Sequence, residues 1–497
     1  MLKFPVSRVF AGLALSLCLL AAVAGAQSWT AVAKAFPGSG AGAAFLLTDG
    51  TVMIHQEQTD NDAWYKLTPD INGSYVNGTW SQVASIPSSF GYSPIFFGSA
   101  VLPDGRLLVE GGEYNQGQSA WTNKGAIYQP TTNKWTKVNP PAGWTSIGDA
   151  QNVILNDGTD MQSNCCTTQF AYFNPKTRTW TSFDGNGKFD VFDEEGFTLL
   201  PSGEVLTVDA YVFQYQANGM NSELYNPVTQ TWTSAGSTGA QLWDSDCGNE
   251  NGATYEVGPA VLRPDGTVFA TGASTCGAGH TSIYSTASKT WTVGPNFPGQ
   301  YNVADGPASI EINGNVLVMA SPGYGGGPSA FYEWNGTTLS AAKNPPNAKN
   351  DSSFYGHLLA LPTGQILLAD YSTSVALYNP AGTYDPSWAP QITKVATKLV
   401  HGKSYKATGY RFAGVSQGSA YGDDYQSYTN YALVRITNNA TNHVFYCKTT
   451  LPSSYALQSA ATSTTKFLVP ANIETGASSL VVVTNGIPSP SVAVTVD

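Results

Sequence analysis

One pattern recurs seven times along this chain: an apolar strand, a turn ending in glycine, and a second apolar strand. The segments read AAFLLTDGTVMI, SAVLPDGRLLV, NVILNDGTDMQ, FTLLPSGEVLTV, AVLRPDGTVFAT, SIEINGNVLVM and LLALPTGQILLA. Their turn glycines are Gly50, Gly105, Gly158, Gly203, Gly266, Gly314 and Gly364, spaced about fifty residues apart. Asp-Gly and Asn-Gly between apolar strands mark tight hairpins, because such turns demand positive φ. A unit of this size cannot bury its own apolar face, so the repeats must pack on one another.

A second hairpin follows each first one. Its mark is an aromatic residue, a turn, and a Trp seven residues on: Tyr128/Trp135, Phe173/Trp180, Tyr225/Trp232 and Tyr284/Trp291. Tyr332/Leu339 is the sixth unit's version, and Tyr65/Trp80 is a stretched first one. Four strands per unit at this period describe a β-propeller blade. The seventh unit has Tyr378 without its Trp, while Trp29 precedes the first unit and belongs to none. The N-terminal strand is therefore expected to complete blade seven and close the ring.

The pattern stops near Pro390. Short alternating strands follow (QITKVATKL, SYKATGYRF, ALVRITN, HVFYCKT, KFLVP, SLVVVTN), which predict a β-sandwich. The expected layout is a leader over 1–26, a seven-bladed propeller over 27–389 and an immunoglobulin-like sandwich over 390–497. The fold class is all-β.

The leader reads as a secretory signal. Lys3 and Arg8 precede the apolar stretch FAGLALSLCLLAAVAG, and Ala24-Gly25-Ala26 offers small residues for cleavage. The expected location is secreted, extracellular or periplasmic. No later stretch approaches the ~20 apolar residues of a membrane span. The net charge of −11 becomes −13 once Lys3 and Arg8 are gone, which disfavours nucleic acid and anionic membranes as partners.

Blade topology sorts the loops. Each first strand runs toward the glycine turn, so the loops between second and third strands share the opposite end with the linkers between blades. That linker end carries long polar segments, among them HQEQTDNDAW, GGEYNQGQSAWTN and STGAQLWDSDCGNENGATYEV. Binding residues favour such loops on rigid scaffolds.

Nine residues before each turn glycine stand Ala41, Phe96, Asp149, Glu194, Val257, Asp305 and Tyr355. These positions should ring the channel mouth, with Glu195 and Glu256 one residue away. Asp149, Glu194, Glu195, Glu256 and Asp305 then form an acidic group suited to acid–base chemistry or to a cation such as Ca²⁺. Tyr114, Trp121, Tyr211, Tyr215, Trp243, Tyr255 and Tyr324 map to the same end, with Tyr355 on the ring. Aromatic faces beside carboxylates suit a sugar. His55, His280 and His357 map there too and form a weaker metal candidate.

Cys247 and Cys276 both map to the linker end of blade five and are expected to pair as a disulfide. Cys165 and Cys166 are neighbours, and a bond between them would strain the intervening peptide. Cys447 reads as a buried strand thiol. The segment Tyr421-Gly422-Asp423-Asp424 stays open between a calcium loop, a docking loop and a plain polar turn.

With its domain order and the segments SQGSAYGDDYQSYTNYALVRITN and VPANIETGASSLVVVTNGIPS, the chain resembles the galactose oxidase-like, kelch-type secreted proteins. The resemblance covers nearly the whole mature chain. It implies a copper centre of two His and two Tyr, one Tyr cross-linked to Cys. Aligned on the turn, the family's Tyr falls on Phe354 and its His on Tyr355, with His357 about 6.6 Å deeper along the strand. The second His is expected near YCKTTLPSS, where Thr449 and Thr450 stand. No Cys holds the cross-link position. Copper is therefore disfavoured. The expected function is binding of an extracellular glycan or a surface or matrix ligand at the linker-end mouth. The alternatives are a carbohydrate-active hydrolase or lyase using the acidic mouth, and a divergent galactose or glyoxal oxidase-like copper enzyme.

Overall fold

All seven turn glycines adopt left-handed backbone, with φ between 77° and 86°. Each donates its amide back to the residue three before it, as in Gly50 N to Leu47 O at 2.9 Å and Gly364 N to Leu361 O at 3.0 Å. A side chain at φ near 80° is strained, so glycine fixes where each first strand ends. Every register in the ring is counted from these points.

The computed structural model describes residues 26–57, 63–211, 220–245, 253–274 and 276–497. The sheets are those of a seven-bladed propeller. Blade one runs Ala41–Leu46, Val52–Gln56, Trp64–Thr68 and Thr79–Val83, each strand antiparallel to the next. Blades two to six repeat this order. Blade seven takes three strands from its own segment, His357–Ala360, Ile366–Ala369 and Ala376–Asn379, and its outermost strand is Ser28–Ala31. Trp29 lies opposite Tyr378, with ring centroids 5.0 Å apart, and also packs edge-on against Phe331 of blade six.

The same aromatic pairing recurs around the ring. Tyr128 faces Trp135, Phe173 faces Trp180, Tyr225 faces Trp232 and Tyr284 faces Trp291. Two registers differ from the sequence expectation. In blade one Trp80 faces Leu67 rather than Tyr65, and in blade six Leu339 faces Trp334 rather than Tyr332. The position two residues along lies on the same face of the strand, and in blade one Tyr65 and Trp80 both pack edge-on against Phe36 instead.

The C-terminal part forms a sandwich around Val434, Ile436, Cys447, Phe467, Leu480 and Val482. It sits on the turn end of the propeller: Thr449 N bonds Thr48 O at 3.0 Å, Leu451 N bonds Pro103 O at 2.6 Å and Tyr455 N bonds Asn156 O at 2.8 Å.

One segment of this domain leaves the sandwich and threads the axis. Ser419–Tyr421 pairs antiparallel with Pro307–Ile310, the innermost strand of blade six. Around it, Ser427 donates to Ala44 O at 2.8 Å, Tyr428 donates to Asn152 O at 3.0 Å, and Leu199 N donates to Gln417 at 2.7 Å. Tyr421 donates to Phe354 O at 2.7 Å, and Tyr425 N bonds Phe97 O at 3.2 Å. At Gly422 a Cβ would meet Asp305 Oδ1 at 2.6 Å and Val257 O at 3.0 Å, so only glycine passes this constriction. The finger thus touches all seven blades, and its tip arrives at the linker end. Among the described residues, no helix is long and apolar enough to cross a membrane.

Candidate functional site

The blade entries at the linker end are kinked. Phe96, Glu194 and Asp305, three of the seven ring positions, hold φ of 52°, 57° and 47°. Tyr255 (63°) and Gly148 (66°) lie beside two other ring positions. Left-handed backbone at non-glycine residues costs of order 1 kcal/mol or more each and persists where the surroundings impose it. Here it turns acidic side chains toward the axis.

Three overlapping groups of carboxylates result, each with oxygens within 4.8 Å of one another: Asp149 with Asp423 and Asp424, Asp149 with Asp193 and Glu194, and Glu194 with Glu256 and Asp305. Asp423 and Asp424 come from the tip of the finger. Glu113 adds an eighth acid at the rim, close enough for Asp423 and Asp193 to raise it. Glu256 Oε2, Asp305 Oδ1, Asp423 Oδ2 and Asp424 Oδ1 have no hydrogen-bond partner. Burial without a partner is costly for a carboxylate.

The electrostatics follow. Burial, then the fields of Asp423 and Asp424, push Asp149 well above the usual carboxylate range. Burial, then Glu256 and Asp149, do the same to Glu194, and burial, then Glu256 and Asp423, to Asp305. Glu113 and Glu256 rise to about 7 and Asp423 to about 6, each chiefly through burial. Such a cup either keeps protons or takes a cation. An all-oxygen, anionic, multidentate site suits hard ions such as Ca²⁺, which accepts six to eight oxygens.

Glu195 does not join the cup. It turns the other way and bonds Lys188 Nζ at 3.0 Å and Thr207 at 3.1 Å. Lys188 is fully buried and also meets Asp190, Asp209 (3.8 Å) and Glu223 (2.7 Å). Burial lowers its pKa, but Glu195 and the other acids raise it well above the ordinary lysine value. This is an internal ion cluster that ties blade four together.

The aromatic candidates form a broken rim. Tyr211 stacks on Tyr255 at 4.2 Å, and Tyr255 on Trp243 at 5.7 Å. Trp243 itself is 2% exposed, so it supports the stack and offers no face to a ligand. Across the mouth Tyr324 stacks on Phe354 at 6.0 Å, and Phe354 packs on Tyr355 at 4.1 Å. Tyr114 lies against Phe96. Trp121 and Tyr324 are half exposed, at 51% and 50%. Tyr215 and Cys247 lie outside the described residues, so the expected Cys247–Cys276 bond does too. A surface groove of about 500 Å³, lined by Pro103, Asp157, Tyr172 and Leu451, lies at the opposite, turn end.

The three histidines do not meet. His280 is half-buried at the edge of blade five and pairs with Asn296 at 2.9 Å. His55 and His357 are buried under the cup. His55 bonds Glu57 at 2.7 Å and packs on Trp64, while His357 lies between Tyr371 and Tyr421 with Tyr425 edge-on. Burial, with a smaller effect of His55, lowers His357 to about 4.

The copper pattern fits no better. Phe354 and Tyr355 stand where the Tyr–His pair would be. The domain segment that reaches the mouth brings Asp423 and Asp424, while Thr449 and Thr450 lie at the turn end. Among the described residues, no converging group of three or more His, Cys, Asp and Glu side chains includes a histidine. The donors present are those of a hard-cation site.

Comparison with known proteins agrees at the level of fold. A fungal alcohol oxidase of the AA5 family in complex with copper superposes with a TM-score of 0.50 at 13% identity, covering 95% of this chain and 99% of that one. The fold is that of the kelch-type, galactose oxidase-like propellers. A streptogramin B lyase structure matches with a TM-score of 0.46 at 11% identity, over 72% of this chain and 98% of that one. In sequence, 120 residues are 24% identical to Kelch-like protein terF of Aspergillus terreus, which is 22% of this chain and 25% of that protein's length. The match therefore spans about a quarter of that relative. No family model matches the chain.

Proposed function

We propose that this is a secreted propeller that binds a divalent cation, calcium foremost, in the carboxylate cup at the linker end, and through it an extracellular polyhydroxylated ligand such as a glycan. The carrying observation is the convergence of Asp149, Glu194, Glu256 and Asp305 from four blades with Asp423 and Asp424 from the finger. Buried oxygens without a hydrogen-bond partner on four of these acids are groups that a bound cation would satisfy. A calcium ion with some coordination positions open accepts sugar hydroxyls directly. The half-exposed rings of Trp121 and Tyr324 supply apolar faces beside it.

The test is calorimetric titration of the EDTA-treated protein with Ca²⁺ near pH 7.5, then a glycan panel with and without calcium. Stoichiometric calcium and calcium-dependent retention of a glycan class support the reading. No heat with Ca²⁺, Mg²⁺ or Mn²⁺ would sink it.

One observation favours a second reading. Glu113 and Glu256 sit at about 7, where a carboxyl can serve as general acid or base at neutral pH. A carbohydrate-active hydrolase or lyase would use that pair. Product release from polysaccharide mixtures, lost in Glu256→Gln, separates it from plain binding.

A further inference from the structure

Beside the cup, and sharing Asp193 with it, lies a second constellation whose two thiols neither reading uses. Cys165 and Cys166 follow the second strand of blade three, and both are free thiols. Consecutive residues in extended backbone point to opposite faces. Here they do not, because Cys166 adopts φ of 67°. Cys165 Sγ reaches Asp193 Oδ1 at 3.4 Å, and Cys166 Sγ reaches Asp193 Oδ2 at 3.2 Å. The three ligand atoms lie within 4.8 Å of one another.

The backbone holds this arrangement. Cys165 N bonds Ile147 O at 2.9 Å, Cys166 N bonds Phe192 O at 2.6 Å, and Phe192 N returns to Thr167 O at 2.7 Å. Two neighbouring thiols are thereby clamped onto one carboxylate from the linker to blade four. Cys165 is buried and Cys166 is partly open, so the group has an inner wall and an entry.

From this geometry we infer that Cys165, Cys166 and Asp193 form a binding site for a thiophilic divalent cation of the zinc class, adjoining the hard-cation cup at Asp193. Two sulfurs and one carboxylate oxygen leave a fourth tetrahedral position for water or a ligand atom, the arrangement of an open zinc site. Softness sorts the two sites: thiolates select zinc-like ions, and carboxylates alone select calcium-like ions. Binding is balanced by proton release, since two thiols and one M²⁺ give a dithiolate complex and two H⁺. Asp193 also approaches Asp149 and Glu194. A soft ion drawing on Asp193 would therefore alter the charge of the neighbouring cup.

The test uses the full-length protein, reduced and handled without oxygen, titrated with Co²⁺ as spectroscopic probe. The expected result is a thiolate-to-cobalt charge-transfer band saturating at one equivalent and bleached by Zn²⁺. Cys166→Ser should abolish the band, and Asp193→Asn should weaken Co²⁺ binding at least tenfold. Asp305→Asn, in the cup, should leave the band intact. Circular dichroism checks that each variant is folded. Because Cys166 is partly exposed, its replacement should leave calcium binding in place, so failure here is distinguishable from failure of the calcium reading. No cobalt–thiolate band in the folded, reduced protein overturns the inference. So does peptide mapping of the secreted protein that finds Cys165 joined to Cys166.

Discussion

Asp149 and Asp423 are 274 residues apart in sequence, yet their carboxylate oxygens lie within 4.8 Å of each other and of Asp424. One enters from the start of blade three and the other on a finger that has crossed the propeller axis from the opposite end. The cup is thus assembled from two domains. Neutralising one partner should relieve repulsion in the metal-free protein while removing a ligand from the metal-bound one. Asp423→Asn is expected to raise the melting temperature in EDTA at pH 8 and to weaken Ca²⁺ binding by ~10-fold or more, the scale seen when a metal site loses support. Differential scanning calorimetry and calcium titration on the same sample check both signs. A fall in stability with unchanged calcium affinity would make Asp423 a purely structural residue.

The pH dependence of stability follows from the same acids. Unfolded carboxyls ionise near pH ~4. In the folded protein Asp160 and Asp423 keep their protons to about 6, Glu113 and Glu256 to about 7, and Asp351 to about 8, in each case mainly through burial. Across that window the folded state binds more protons than the unfolded one. Stability is then full below the unfolded values and is lost as pH rises through 6 to 8. The metal-free protein should melt several degrees higher at pH 4.5 than at pH 8. Added Ca²⁺ should reverse this, stabilising strongly at pH 8 and hardly at pH 4.5. A melting temperature independent of pH in EDTA would contradict the burial of these groups.

Lys188 is the one cation among Asp190, Glu195, Asp209 and Glu223. Removing one partner from a buried ion cluster strands the others and typically costs 3–5 kcal/mol. Lys188→Met should therefore lose most soluble protein at neutral pH. Refolding near pH 4.5, where the carboxyls can hold protons, should recover part of it. Equal yields of variant and wild type at pH 7.5 would mean the cluster is already protonated and that Lys188 is dispensable.

These residues also show what sequence could and could not reveal. The blades were legible because each turn glycine is required by its φ, and strand alternation then fixes everything within about ten residues of it. Counting back from those glycines reached Asp149, Glu194 and Asp305, whose carboxylates the structure brings into the converging groups. Glu195, one residue off the ring, turns to Lys188 instead, because a one-residue step reverses the face of a strand. Glu256 is off the ring position too, yet it reaches the cup. Tyr255 is kinked, and the strand register shifts between Val257 and Ala260. Asp423 and Asp424 carry no period and no local pattern. Only the threading of the finger through the axis brings them to the mouth, whereas Thr449 and Thr450, where the resemblance puts the second His, stay at the turn end, with Thr449 bonded to Thr48.

The last prediction concerns the rim. Trp121 and Tyr324 are exposed on the blade-two and blade-six sides of the mouth, where a sugar ring held at the cation could lie against one of them. Trp243, buried beneath Tyr255, should behave differently. Tyr324→Ala and Trp121→Ala are expected to leave the melting temperature within about a degree, since exposed side chains contribute little to stability. At least one of them should weaken glycan retention by about 1–2 kcal/mol, the scale of a lost aromatic contact. Trp243→Ala should instead cost about 3 kcal/mol or more of stability through the cavity it leaves. Glycan arrays and denaturant melts on the three variants separate these outcomes. If both exposed substitutions leave binding untouched while calcium removal abolishes it, the ligand is held by the cation alone and the aromatic rim has no part in recognition.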